Sequence, residues 1–210
     1  MRSLKLLLVS GIMLSLTLWF FACKPTADVG STVVNVADPT AEAIQYTSKG
    51  WAAFEQKDYA TAKSLFRQAI SSNDLYADAY NGLGWTYARL DSMTNALQSF
   101  DIALGLQPQF VDVLAGRSFV SLALGKYHDA ITAVGIVQSL EPGFYAFRHD
   151  PKVSLNLLLL VKAQSCFMLT DYDAAQSIIN QLDPSNSLDP AKSSYIEDLA
   201  LEIENLWQQS

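Results

Sequence analysis

Slid along itself by 34 positions, this chain matches itself. Gly50 and Gly84, Ala62 and Ala96, Phe66 and Phe100, and Ala69 and Ala103 are all separated by that interval. One interval further on, Ser118, Ala130, Val134 and Val137 fall in the same columns, a looser copy. A fourth copy is displaced by 11 residues, so that Ala163 aligns with Gly84, Ala175 with Ala96, Ile179 with Phe100 and Leu182 with Ala103. A period in the range of about 20–50 residues marks units that cannot bury their apolar face alone and must stack on copies of themselves. Four turn signals divide the units at one point each: Lys57-Asp58-Tyr59, Asp91-Ser92-Met93, Gly125-Lys126-Tyr127 and Thr170-Asp171-Tyr172. Each unit therefore reads as two helices joined by a short turn, and such hairpins stack into a solenoid.

Residues 77–110 carry the pattern most fully: Tyr80-x2-Leu83-Gly84-x2-Tyr87, then Ala96-x3-Phe100-x2-Ala103, then Pro108. This resembles the tetratricopeptide (TPR) repeat at nearly every signature position, with Tyr80 standing where Trp is commonest. Packing explains the spacing. Small residues at Gly84 and Ala96 let two antiparallel helices cross closely, Phe100 and Tyr87 fill the space between successive pairs, and Pro108 stops the second helix. The resemblance implies an all-α, right-handed TPR-type α-solenoid of about four helical hairpins. The repeats span about 43–76, 77–110, 111–144 and 156–188, with an inserted loop at 145–155. Asp189-Pro190 predicts a capping helix over 190–208, with Ile196, Leu199, Ala200, Ile203, Leu206 and Trp207 on one stripe. That stripe covers the fourth hairpin or, left open, serves as a dimer face.

The amino terminus gives an address. Arg2 and Lys5 precede an apolar run from Leu6 to Ala22, the pattern of a secretory signal. Phe20-Phe21-Ala22-Cys23 resembles a bacterial lipoprotein cleavage box, with Phe20 where Leu is usual. The resemblance implies removal of residues 1–22 and acylation of Cys23. The other reading is an uncleaved membrane anchor. Lys24 stands where Asp would, by resemblance to enterobacterial lipoproteins, favour inner-membrane retention, so the periplasmic face of the outer membrane is expected. Residues 23–37 read as the lipidated cysteine and a flexible tether, and Asp38-Pro39 as the N-cap and first residue of the folded part, 38–210.

Composition sets the outer bounds. Half of the residues are apolar and the net charge is −7. Without Arg2 and Lys5 the remainder carries 12 basic and 21 acidic side chains, or −9, which argues against nucleic acid. Cys23 and Cys166 lie in unrelated contexts, so no disulfide framework is expected. His128, His149 and Cys166 have no metal-ligand spacing, and no glycine-rich phosphate loop or nucleophile elbow is present, so no cofactor is expected.

Solenoids of this kind bind with the concave face, lined by the first helix of each hairpin. By resemblance, the ninth residue of each unit faces that groove, and here it is Trp51, Trp85 and Phe119, then Gln164. Aromatic residues on such a face suit partner binding, because Trp and Tyr are common binding hot spots. The ladder is otherwise covered by the segment Thr32–Val36, or is plain core. Thr47, Glu55, Asp78, Asn81, Arg89 and Asp112 lie nearby, and without a lysine pair a carboxylate clamp of the familiar TPR type is not expected. In the insertion, Tyr145, Phe147 and Arg148 are contact candidates with Phe144, whereas the bland reading has its aromatics cover the hairpin seam and Asp150 cap the next helix. Cys166 sits on an apolar stretch, Leu155 to Leu169, read as a buried helix rather than a second membrane span.

These readings converge on a non-catalytic interaction scaffold of the bacterial cell envelope, lipid-anchored, taking a protein partner's segment in the groove. The partner-binding candidates are Trp51, Trp85, Phe119, Asn81, Arg89, Tyr145, Phe147 and Arg148. The alternatives are a periplasmic protein that captures a peptide or glycan in the same groove, and an enzyme using His149 and Asp150.

Overall fold

The structure, a computed structural model, describes residues 38–210. The readings that fall on the leader, on Cys23, on the tether and on Thr32–Val36 lie outside the described residues. Asp38 caps the first helix as expected, its carboxylate accepting the Thr40 backbone N–H at 2.9 Å with Pro39 at the first helical position. Among the described residues, eight helices form four hairpins: α1 (Pro39–Glu55) with α2 (Tyr59–Ser72), α3 (Ala77–Arg89) with α4 (Met93–Leu106), α5 (Val111–Ala123) with α6 (Tyr127–Leu140), and α7 (Leu155–Met168) with α8 (Tyr172–Leu182). Each hairpin packs on the next, and first helices also meet first helices, α1 on α3, α3 on α5 and α5 on α7. The fold is an all-α solenoid.

The four hairpin turns share one backbone device. Lys57, Asp91, Gly125 and Thr170 take positive φ angles of 62°, 56°, 72° and 63° at equivalent points. One left-handed residue reverses the chain after a first helix, and only one of the four is glycine. The close crossings sit where the repeat places small residues. A Cβ at Gly84 would lie 2.6 Å from the Phe100 ring, and one at Gly50 2.8 Å from Phe66. Phe66 and Phe100 are sealed from solvent, and burying such a ring contributes about 1.5–3 kcal/mol.

The carboxy-terminal helix differs from its expected bounds. α9 (Tyr195–Gln209) begins five residues after Pro190, because residues 183–194 form turns held by Asp183, Asn186 and Asp189 side chains. It packs on α7 and α8, burying Leu199 and Ile203, so it does cover the fourth hairpin. Ile196, expected on the buried stripe, is 45% exposed. Cys166 is buried among Leu159, Ala163 and Ile179, and burial pushes its thiol up. None of the described helices is long and apolar enough to cross a membrane.

Candidate functional site

Between α6 and α7 the chain makes a tongue, residues 144–153. After Gly143, at φ 94°, it runs extended and returns on itself. Phe147 N–H donates to the Val153 carbonyl and Leu155 N–H to that of Tyr145, both at 2.9 Å, around an isolated bridge between Ala146 and Ser154. Extended backbone sends alternate side chains to opposite faces. Tyr145 and Phe147 accordingly point inward and are buried, whereas Ala146 and Arg148 are exposed.

The inward side chains enter the concave face of the first three hairpins. Phe147, fully buried, stacks on Trp85 with centroids 4.5 Å apart at 16°, and meets Trp51 edge-on at 5.7 Å. His149 lies parallel to Trp51 at 3.9 Å, and its Nδ1 is 2.8 Å from Glu55 Oε1. Tyr145 donates its hydroxyl to Asp112 at 2.9 Å. Asp150 pairs with Arg89. The tongue is thus fastened to α1, α3 and α5 by one polar side chain on each, Glu55, Arg89 and Asp112, beside the stacked indoles. The indole donors are also engaged, Trp51 Nε1 with Asp78 at 3.1 Å and Trp85 Nε1 with the Asp112 carbonyl at 3.2 Å.

This geometry revises the expectations for the groove. Trp51 and Trp85 do face it, but each is only 3% exposed. Both belong to the buried core and lie against the tongue, as the plain-core reading has it and unlike a wet or partner-covered ladder; Thr32–Val36 lies outside the described residues. Phe119 and Gln164 are half-buried. Asp150 does not cap α7, because Ser154 takes that position and accepts the Leu157 N–H. His149 and Asp150 do not act on one another either: the imidazole turns to Glu55 and the carboxylate to Arg89. One signal for the tongue lay in the sequence, the alternation Tyr145-x-Phe147-x-His149, which is a strand's period in a helical protein.

Burial raises the Asp112 carboxyl above its ordinary 3.8, with the Tyr145 hydroxyl opposing the shift. Burial, then the Asp112 charge, pushes the Tyr145 phenol well up. Thr47 and Asn81, 34 positions apart, occupy equivalent sites on α1 and α3, and both are almost fully buried. Thr47 Oγ1 and Asn81 Oδ1 have no hydrogen-bond partner among the described residues. Leaving such atoms unsatisfied costs about 1–3 kcal/mol each.

Comparison with known proteins agrees with this architecture. Residues 47–109 match the tetratricopeptide repeat family. No curated protein gives a significant sequence match. Among solved structures, a tetratricopeptide repeat protein from Parabacteroides merdae superposes with a TM-score of 0.57 at 15% identity, covering 80% of this chain and 59% of that one. MamA superposes at 0.56 and 16% identity over 82% of this chain and 84% of its own. The Arabidopsis OM64 TPR domain does so at 0.51 and 18% identity, over 63% of this chain and 98% of that domain. The described part of this chain is therefore an α-solenoid of the tetratricopeptide type, with the family's repeat pattern matched over residues 47–109.

Proposed function

We propose that this chain is a non-catalytic protein-interaction module of the bacterial cell envelope, anchored by a lipid on Cys23, that receives a partner's segment on its concave side. One observation carries the reading. The face made by α1, α3 and α5 already holds an extended segment, residues 145–149, by alternate side chains. A groove that receives an extended segment in cis has the ring faces and hydrogen-bond acceptors to receive one in trans. The tongue extends the contact surface with Phe144, 75% exposed, and with Arg148. Trp51, Trp85 and Phe147 are then the floor of the site, and Phe119, Arg89 and Arg148 its accessible parts.

The test is a crosslinked pulldown of the full-length protein from its native envelope, beside a Phe144→Ser/Arg148→Glu variant. Both positions are exposed, so the variant keeps the fold. A protein captured by the native chain and lost in the variant supports the reading. Capture that is unchanged moves the site away from the tongue, and no capture at all rejects the reading. Fractionation of Cys23→Ser tests the anchor: release from membranes is expected, and retention in unprocessed form indicates an uncleaved apolar anchor.

A further inference from the structure

The tongue's backbone hydrogen bonds close on themselves. Phe147 N–H donates to Val153, Asp150 N–H to Phe147, Val153 N–H to Asp150 and Leu155 N–H to Tyr145. Among the described residues, none of them reaches α1, α3 or α5, so the tongue meets the groove by side chains. Two of its three polar ties run to exposed side chains, Glu55 and Arg89. At its entry the chain turns on Gly143, where φ is 94° and an added Cβ would meet nothing within 4 Å. Lifting residues 144–150 out of the groove therefore breaks side-chain contacts and keeps the hairpin's own bonds.

The places that these side chains fill specify a pattern. At the first, the Asp112 carboxylate accepts from the Tyr145 hydroxyl, which calls for a side chain ending in a donor. At the second, Phe147 lies nearly flat on Trp85 and edge-on to Trp51, a slot for an apolar planar ring. At the third, the Trp51 face and Glu55 Oε1 together suit a flat ring that carries an N–H, as His149 does. The intervening Ala146 and Arg148 are exposed, so the occupant is extended and turns every second side chain inward.

We infer that the concave side takes from its partner an extended segment of the Tyr145-x-Phe147-x-His149 type, and that this segment enters by displacing the tongue, the groove's own competing ligand. The inference rests on the reading of the concave side as a partner's site, and adds the partner's side-chain pattern and the state of the groove that accepts it. Phe144 and Arg148, exposed on the closed tongue, meet the segment first, and its central ring then replaces Phe147 on Trp85.

The probe is a synthetic peptide of residues 143–152, titrated calorimetrically into the full-length chain and into Phe147→Ser, which removes the tongue's central ring and leaves the helices unaltered. A binding-competent state populated in about a tenth of the molecules or fewer lowers the apparent affinity about tenfold or more, so Phe147→Ser should bind the peptide at least that much more tightly than the native chain. His149→Ala/Asp150→Asn, which loosens two ties and keeps the buried ring, should give a smaller gain, and it carries the test where Phe147→Ser does not fold. A peptide with Phe147→Ser, or with its residues scrambled, should not bind. Equal affinity for native and variant chains overturns the displacement. Absence of binding to the folded variants, or equal binding of the scrambled peptide, overturns the pattern. Peptide binding as expected beside an empty envelope pulldown supports the groove's selectivity and rejects the interaction reading, whereas a captured partner that excess peptide fails to displace rejects the pattern and keeps that reading.

Discussion

Phe100 and Phe147 are both sealed from solvent, and the chain reaches that end by opposite routes. Phe100 is enclosed by its own and adjoining hairpins, against Gly84 and Gly116, through contacts that recur at fixed intervals along the chain. Phe147 belongs to no repeat. Its cover is Trp85 and Trp51, 62 and 96 positions away by the numbering, and its tongue is tied down by Glu55, Arg89 and Asp112 on three different helices. The repeated region thus derives its order from local spacing, and the tongue from distant partners that the stack must first assemble. Shape complementarity at small residues holds the one, whereas ring stacking and a few polar ties hold the other.

The largest expected effect breaks this comparison from the tongue's side. Phe147→Ala removes a ring from a site closed on both faces and should cost about 3–5 kcal/mol. Urea unfolding followed by tryptophan emission would measure it, and a loss below about 1 kcal/mol would show the tongue to be an ornament on a self-sufficient stack. Gly84→Leu attacks the stack. A Cβ there already meets Phe100 at 2.6 Å, so overpacking should cost about 1–3 kcal/mol. A melting temperature equal to the native chain's would refute the close crossing.

Finer changes sharpen the picture. Tyr145→Phe deletes the hydroxyl that donates to Asp112 and should cost about 1.5 kcal/mol, since one partner is a partly buried carboxylate. Asp112 itself gives a pH signature. Its folded-state pKa is raised, so the folded chain holds this proton more tightly than the unfolded chain does. Its contribution to stability therefore falls as pH rises from the ordinary carboxylate value of 3.8 through the raised one. Asp112→Asn should flatten that part of the stability curve, and an unaltered slope would remove Asp112 as its source. The smallest effect is expected from Arg89→Gln, at about 0.5 kcal/mol, because the Arg89–Asp150 pair is roughly a third exposed and screened by solvent. A double-mutant cycle with Asp150→Asn would measure the coupling.

The same division explains what could be read from the residues alone. The hairpins, their turns and the close crossings were legible because each rests on residues within one period of each other, as Gly84 does with Phe100. The ninth-position ladder was legible too, as a row of rings facing one way. Its cover was not. The contact of His149 with Glu55 spans 94 positions, and no periodicity links them. Asp150-Pro151 resembled a helix start because Asp is a good cap, yet its carboxylate is drawn to Arg89, and Ser154 is left to cap α7. Likewise, Asp189-Pro190 looked like a helix start. Asp189 instead accepts from Ala191 N–H in a turn, and the helix waits for Ser194. In both places a side chain with two uses took the one that sequence does not display.

A plain stack of hairpins is open-ended: a unit added to or dropped from the middle leaves neighbours that still fit. The tongue removes that freedom here. It leaves the third hairpin and touches the first, so its length works as a ruler laid across α5, α3 and α1. Deleting the second hairpin would take away Trp85 and leave Phe147 without its stacking face, and inserting another would carry Trp51 and Glu55 out of reach of His149. The spacing from the hairpin that carries Trp51 to residue 144 is therefore fixed, and any lengthening of this array is confined to its ends.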